Sequence, residues 1–195
     1  MDILFIDVET TGQDPRKHSI IQLAAEFYSN DKLVSSFNKF VEHVGEINLG
    51  ALKYNKFKIR DIRGLIKKGV SEEEAAIDFV EFLLNLKSEK PIIIGGHNCA
   101  FDLNFINEFL YRNNFEGLNN LVSYRVLDTS TIAGFLKETN FINLDKISLE
   151  NLVNYFDCKP DVLNNISSEE RFHDAAFDVK CTANLYFTLR NFLKR

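Results

Sequence analysis

Two acids spaced by two, Asp7 and Glu9, stand at the end of the apolar run Ile3 to Ile6. A short continuous apolar run reads as a strand buried on both faces. Because side chains alternate along a strand, both carboxylates project to the same side. Such a pair repels itself unless a cation sits between its members. Taken alone, it reads equally well as a solvated acidic turn. Thr10-Thr11-Gly12 then turns the chain away, and the turn is expected to leave backbone N–H groups free beside the acids.

Two further stretches carry residues of the same kind. His97-Asn98-Cys99-Ala100-Phe101-Asp102 follows a second apolar run, Ile92-Ile93-Ile94, which Gly95-Gly96 is expected to end. If that run lies in the same sheet, Asp102 arrives beside Asp7 at the start of the next helix. On its own, Asp102 is an ordinary first-turn acid favoured by the helix dipole. The other stretch is His173-Asp174-Ala175-Ala176-Phe177-Asp178. Five residues of regular helix rotate through about 500°. His173 and Asp178 therefore share a site only if His173 lies on the loop before the helix and Asp178 on its inner face. Ala175 and Ala176 are small enough to let that helix approach the sheet closely.

Asp7, Glu9, Asp102, Asp178 and His173 thus sit where strands end or helices begin. Oxygen-only ligands select hard cations, Mg²⁺ or Mn²⁺, over zinc. Four carboxylates suit two divalent cations, the arrangement that clamps the attacking and leaving oxygens of a phosphoryl displacement. A histidine with an ordinary pKa near about 6.5 can take a proton from water at neutral pH.

The elements that must position these residues follow from patterning. Ser19 to Tyr28 and Lys32 to Val41 read as strands joined by the polar turn Ser29-Asn30-Asp31, which gives three antiparallel N-terminal strands. Ser71-Glu72-Glu73-Glu74 is a capping box opening a helix to about Leu86, with Ala76, Phe79, Val80 and Leu83 on its apolar face. A helix is expected from the Asp102 stretch to about Arg112, and a short strand over Tyr124 to Leu127. Asp128 is expected to cap a helix to Lys137, a structural task rather than a catalytic one, and Ser148 to cap another. The last helix covers Asp174 to Leu193. Strands followed by strands interleaved with helices predict an α/β fold with a mixed sheet flanked by helices. The site of such a sheet lies beyond its strand ends.

Length and composition narrow the class. A chain of 195 residues, 45% apolar and 26% charged, is expected to fold as one domain, 1–195. Cys99, Cys158 and Cys181 lack metal-type spacing and cannot all pair, which suits reduced thiols in a cytoplasmic protein. No secretion signal and no membrane span is expected. The net charge of −5 argues against broad non-specific grip on duplex DNA. Against that acidic background, Lys53, Lys56, Lys58, Arg60, Arg63, Lys67 and Lys68 form a basic stretch with Asp61 as its only acid. It reads either as a solvated face or as a phosphate-contacting rim with Tyr54 and Phe57 available for stacking.

The motifs Asp-x-Glu-Thr-Thr-Gly at 7–12, His-Asn-x-x-Phe-Asp at 97–102 and His-x-Ala-x-x-Asp at 173–178 resemble the three exonuclease motifs of the DEDDh family, in order and in spacing. Leu127-Asp128-Thr129 and Ser148 to Leu152 also look like its intervening segments, so the resemblance covers nearly the whole chain. It implies an RNase H-like fold and metal-dependent removal of nucleotides from DNA or RNA 3′ ends, in some members beside a DNA polymerase. By that resemblance Asp7 bridges two cations, Glu9 and Asp178 complete the first site, Asp102 supports the second, and His173 is the general base. Thr10 and Thr11 would hold the terminal 3′-hydroxyl, and Asn98 and Phe101 would line the nucleotide pocket. Gln13 departs from the pattern, because many relatives carry an apolar residue there that wedges against the terminal base. Val179 replaces a common alanine. Two other readings share these residues: a non-catalytic nucleic-acid-binding or polymerase-associated module, and a hydrolase of very short oligonucleotides. The first predicts loss of a ligand or of the histidine, yet all five are present; the second turns on whether the basic stretch 53–68 lines the groove.

Overall fold

The computed structural model describes residues 1–42, 47–48, 69–118, 121–160 and 174–194. Its centre is strand β1 (Asp2–Thr10), hydrogen-bonded on both sides. Antiparallel β2 (Ile20–Ser29) lies on one side and parallel β4 (Ile93–Gly96) on the other. Strand β3 (Lys32–Phe40) extends the sheet beyond β2, and β5 (Val126–Asp128) extends it beyond β4. The order is β3-β2-β1-β4-β5: three antiparallel N-terminal strands, then parallel ones.

Alternation along β1 divides the core. Leu4, Ile6 and Val8 face helices α1 (Glu72–Asn85) and α2 (Cys99–Arg112), packing with Phe79, Phe105 and Phe109. Ile3 and Phe5 face the opposite way, onto the C-terminal helix α5 (Ala175–Phe192) and its Ala175, Val179, Ala183 and Tyr186. Helices α3 (Thr129–Glu138) and α4 (Leu149–Tyr155) pack on the outer side of α5, where Ala133, Leu136, Leu152 and Val153 meet Phe177, Cys181, Leu185 and Leu189. A helix apolar on two sides is buried between layers, and α5 is that helix. Asp7 and Glu9 continue the odd-numbered series of Ile3 and Phe5, so they face α5 as well.

The caps form where the sequence places them. The Ser71 hydroxyl accepts from Glu74 N–H at 3.1 Å, and the Ser148 hydroxyl accepts from Asn151 N–H at 3.4 Å. The Asp128 carboxylate accepts from Ser130 N–H at 2.8 Å. Several strand boundaries differ from the sequence expectation, among them β5, expected over Tyr124 to Leu127 and found over Val126–Asp128. Strand β1 does not end at the acids, since β2 pairs with it as far as Thr10, with Asp7 opposite Ala24 and Glu9 opposite Gln22. Strand β4 runs through Gly95 and stops at Gly96, so the glycines end the strand from inside it rather than following it. The reason at Gly95 is steric: a Cβ there would sit 2.5 Å from the Phe5 ring, which crosses the face of β4 at that point.

The basic stretch Lys53 to Lys68 and His173 lie outside the described residues. The flanks of the basic stretch are described. The N–H of Asn48 donates to the Thr11 carbonyl at 2.8 Å, and Val70 bridges to Val41 at the end of β3. Among the described residues no helix is long and apolar enough to cross a membrane, and Cys99, Cys158 and Cys181 are free thiols.

The Gly95–Phe5 contact gives a direct test. Phe5 is held in an aromatic cluster, with ring centroids 5.7 Å from Tyr28 and 5.6 Å from Tyr186, so it has little freedom to retreat. Gly95→Ala should destabilise the chain by about 1–3 kcal/mol through overpacking. Thermal unfolding monitored by circular dichroism checks this; an unchanged melting temperature would show that the sheet absorbs the methyl group.

Candidate active site

Three carboxylates meet at the carboxyl end of β1. Asp7, Glu9 and Asp178 each offer an oxygen within 4.8 Å of the others. Strand alternation supplies the first two, and the first turn of α5 supplies the third. Glu9 is 5% exposed and Asp178 8%, while Asp7 is half-buried.

Asp102 reaches the same region by a different route. Pairing of β4 with β1 stops at Phe5 opposite Gly95, so Val8 has no strand beside it on that edge. The Asp102 carboxylate, 4% exposed in the first turn of α2, fills the gap and accepts the Val8 N–H at 3.0 Å. One oxygen of Asp102 is thereby committed to the backbone between the two acids of β1.

The start of α2 is fixed from outside the helix. Asn98, at its N-cap, has left-handed backbone angles (φ 63°, ψ 46°), a conformation Asn tolerates better than most residues. Its N–H and that of Cys99 donate to the Asp128 carboxylate at 3.0 and 3.2 Å. Asp128 therefore caps α2 as well as α3. The buried Thr129 hydroxyl donates to the Gly96 carbonyl at 3.1 Å and lies 3.0 Å from His97 Nδ1, closing the same turn. These links across strand ends are not local in sequence, and the reading of Asp128 as a cap found only half of its task.

Thr10, the last residue of β1, and Thr11, which opens the turn after it, are both buried. The Thr10 hydroxyl donates to the Gly12 carbonyl at 2.7 Å, and the Thr11 hydroxyl accepts from Ser19 N–H at 3.0 Å. Thr11 N–H donates to the Ser19 carbonyl at 3.0 Å. The expectation of free N–H groups after the acids is thus corrected at Thr11, because β2 begins close enough to take it. Asn98 is exposed; Phe101 is half-buried with its ring centroid 4.8 Å from that of Phe105. Gln13 is exposed on the turn.

Crowding these acids sets their electrostatics. Burial raises the pKa of Asp7 well above the usual carboxylate range, and the charges of Asp102, Asp178 and Glu9 push it further. Glu9 is raised by burial and then by Asp178. Asp102 is pushed up to about 8, chiefly by burial and against the opposing pull of the Val8 N–H. Carboxylates driven this way accept either protons or a cation. The donors are all carboxylate oxygens, a set that fits a hard divalent cation.

The fold and the acid centre define the class: an RNase H-like mixed α/β sheet with a cluster of carboxylates at the end of its central strand. The chain belongs to the RNase T family, whose model, described as an exonuclease, matches residues 4–186. A PolC-type DNA polymerase III from Pediococcus pentosaceus is 29% identical over 136 residues, covering 70% of this chain and 8% of the polymerase. Ribonuclease T of Histophilus somni is 25% identical over 202 residues, covering 98% of this chain and 84% of that protein. Among solved structures, E. coli exonuclease I in a zinc-bound complex with single-stranded DNA shares the fold, with a TM-score of 0.75 at 19% identity over 100% of this chain and 41% of that one. This chain thus spans under half of exonuclease I and less than a tenth of the polymerase.

The raised acid at Asp102 predicts a pH effect on stability without metal. Between the unfolded carboxylate range and about 8, the folded chain holds a proton on Asp102 that the unfolded chain releases. Its contribution is fully present below the unfolded pKa and is lost as pH rises through the folded one. In EDTA, the melting temperature should fall between pH 5 and pH 8 more steeply for the wild type than for Asp102→Asn. Asparagine can still accept the Val8 N–H, so superimposable curves would mean that Asp102 is ionised in the folded chain at pH 5.

Proposed function

We propose that this chain is a metal-dependent 3′→5′ exonuclease that releases nucleoside 5′-monophosphates from single-stranded or frayed DNA or RNA ends. The observation that carries the reading is the convergence of Asp7, Glu9 and Asp178 within 4.8 Å, with Asp102 docked on the same strand through Val8. Family membership supports the reaction class. The net charge of −5 favours short single-stranded ends over a long duplex.

Asp7, Glu9 and Asp178 would hold one Mg²⁺ or Mn²⁺ ion, and Asp7 with Asp102 a second. Bound cations supply Lewis acidity that offsets negative charge developing on the phosphate. His173 takes a proton from the attacking water. The water oxygen bonds to the terminal phosphorus as the bond to the 3′-oxygen of the penultimate nucleotide breaks, and solvent protonates that oxygen. Thr10 and Thr11 would hold the terminal 3′-hydroxyl, and Asn98 and Phe101 would line the nucleotide pocket. Residues 1–195 act as one exonuclease domain, inside the cell. Likeness to both a polymerase and a ribonuclease leaves two settings for the same chemistry, proofreading beside a polymerase and trimming of RNA ends.

Digestion of matched 5′-labelled single-stranded DNA and RNA oligomers with Mg²⁺, Mn²⁺ or EDTA is the test. A one-nucleotide ladder that EDTA abolishes is expected, and the ratio of DNA to RNA rates separates the two settings. Failure to cleave either strand with either metal would overturn the enzymatic reading. Asp7→Ala should abolish the ladder while the chain stays folded, since it also removes repulsion among the acids. His173→Ala should lose about 10²–10⁴-fold at neutral pH, the usual share of a general base. Part of that loss should return at higher pH, where hydroxide replaces the base. A pH–rate profile parallel to the wild type would assign the proton transfer elsewhere.

A further inference from the structure

Gln22 interrupts an otherwise apolar stretch of β2, between Ile20, Ile21 and Leu23, Ala24, Ala25. It is 1% exposed. A buried amide without partners is costly, about 1–3 kcal/mol for each unmade hydrogen bond, and this one is satisfied at both ends. Its Oε1 accepts the N–H of Ala175, the first residue of α5, at 3.2 Å. Its Nε2 donates to Asn38 Oδ1 at 3.1 Å and to Asp174 Oδ1 at 3.3 Å.

Asn38 is on the neighbouring strand β3, whereas Ala175 and Asp174 belong to the start of α5. Asp174 Oδ1 also accepts from Ala176 N–H at 3.0 Å and Phe177 N–H at 3.2 Å. The Asp174 carbonyl accepts the N–H of Asp178 at 2.9 Å. On the other side, Gln22 stands directly opposite Glu9 in the β1–β2 register, so both side chains lie on the face that α5 covers. A short covalent and hydrogen-bonded path therefore runs from Glu9, across the strand pair, through Gln22 and the helix start, to Asp178.

We propose that Gln22 is a positioning residue for the cation site: it pins the first turn of α5 to the sheet and so sets the spacing of Asp178 from Asp7 and Glu9. This rests on the reading of those three acids as cation ligands. An amide suits the task because it accepts from the helix backbone and donates to the cap at once. A carboxylate at position 22 alone would lack the donor and would meet the carboxylate of Asp174, a conflict that a donor at position 174 removes. Methionine would fill similar space and make neither bond.

The test is Mn²⁺ binding, read from loss of the free-ion paramagnetic resonance signal and needing no turnover. Wild type, Gln22→Met and the double variant Gln22→Glu/Asp174→Asn are compared below the lowest of their melting temperatures. The double variant reverses the donor and acceptor between the two positions at constant net charge, and Asn remains a good N-cap. Gln22→Met should weaken Mn²⁺ binding about 10- to 100-fold, as loss of a residue that orients ligands does. The double variant should return close to the wild-type value. A Gln22→Met chain that melts earlier yet binds Mn²⁺ like the wild type would overturn the proposal, as Gln22 would then support the fold alone. A folded double variant that binds as weakly as Gln22→Met would overturn it too. Absence of Mn²⁺ binding in the wild type would instead remove the ligand reading itself, and the proposal with it.

Discussion

Like-charge repulsion is the constraint on which the arrangement turns. Asp7, Glu9 and Asp178 bring carboxylate oxygens within 4.8 Å of one another, and Asp102, from α2, is hydrogen-bonded to Val8 between the two acids of β1. Two unit charges about 4 Å apart at an effective dielectric of about 20 interact by about 4 kcal/mol. Folded chains are stable by only about 5–15 kcal/mol. A fully ionised cluster would therefore consume much of the stability of the fold. The upward shifts at Asp7, Glu9 and Asp102 are the response without metal: protons are kept. A cation is the other response, and it leaves the carboxylates ionised at neutral pH.

Local backbone effects cannot do the same work. Asp102 and Asp178 each lie in the first turn of a helix, where the dipole favours negative charge. That effect contributes about 0.3–1 kcal/mol per residue, well below one close carboxylate pair. The frame must therefore hold the acids together against their preference. Phe5, directly before Asp7 on the same face of β1, is fully buried among Tyr28, Tyr186 and Phe187. Close-packed rings beneath the acids resist the outward movement that repulsion would drive.

Much of this was legible in the sequence, for identifiable reasons. Apolar runs and the Ser29-Asn30-Asp31 turn located the meander, because period and turn chemistry are local signals. Ser71, Asp128 and Ser148 marked helix starts for the same reason. The same-face relation of Asp7 and Glu9 follows from pleating alone. Strand ends were less legible. The run to Ile6 did not show that β1 continues through two acids, because what carries it on is pairing with β2, which sets Ala24 and Gln22 opposite them. Gly95 and Gly96 read as a terminator, and β4 does stop at Gly96, but the reason at Gly95, the Phe5 ring across the sheet, is not a local signal. Gln22 left a local trace, one polar residue within a buried strand, but its meaning depends on Ala175 and Asp174, more than 150 residues away.

Asp128 and Gln22 solve the same problem at two helices. A helix leaves its first N–H groups without internal partners, and an acid in the first turn is a natural candidate to satisfy them. Here other residues take that duty: Asp128 holds Asn98 and Cys99 at the start of α2, and Gln22 with Asp174 holds Ala175, Ala176 and Phe177 at the start of α5. Asp102 and Asp178, each at the end of that first turn, are not needed as caps. Both pins reach across from the sheet or its strand ends, so each fixes a helix as a rigid body relative to β1. A helix held at its first turn carries the carboxylate of that turn with little room to swing. The spacing of the acids is thus set less by the acids, which repel, than by uncharged or distant groups that bind helix backbones.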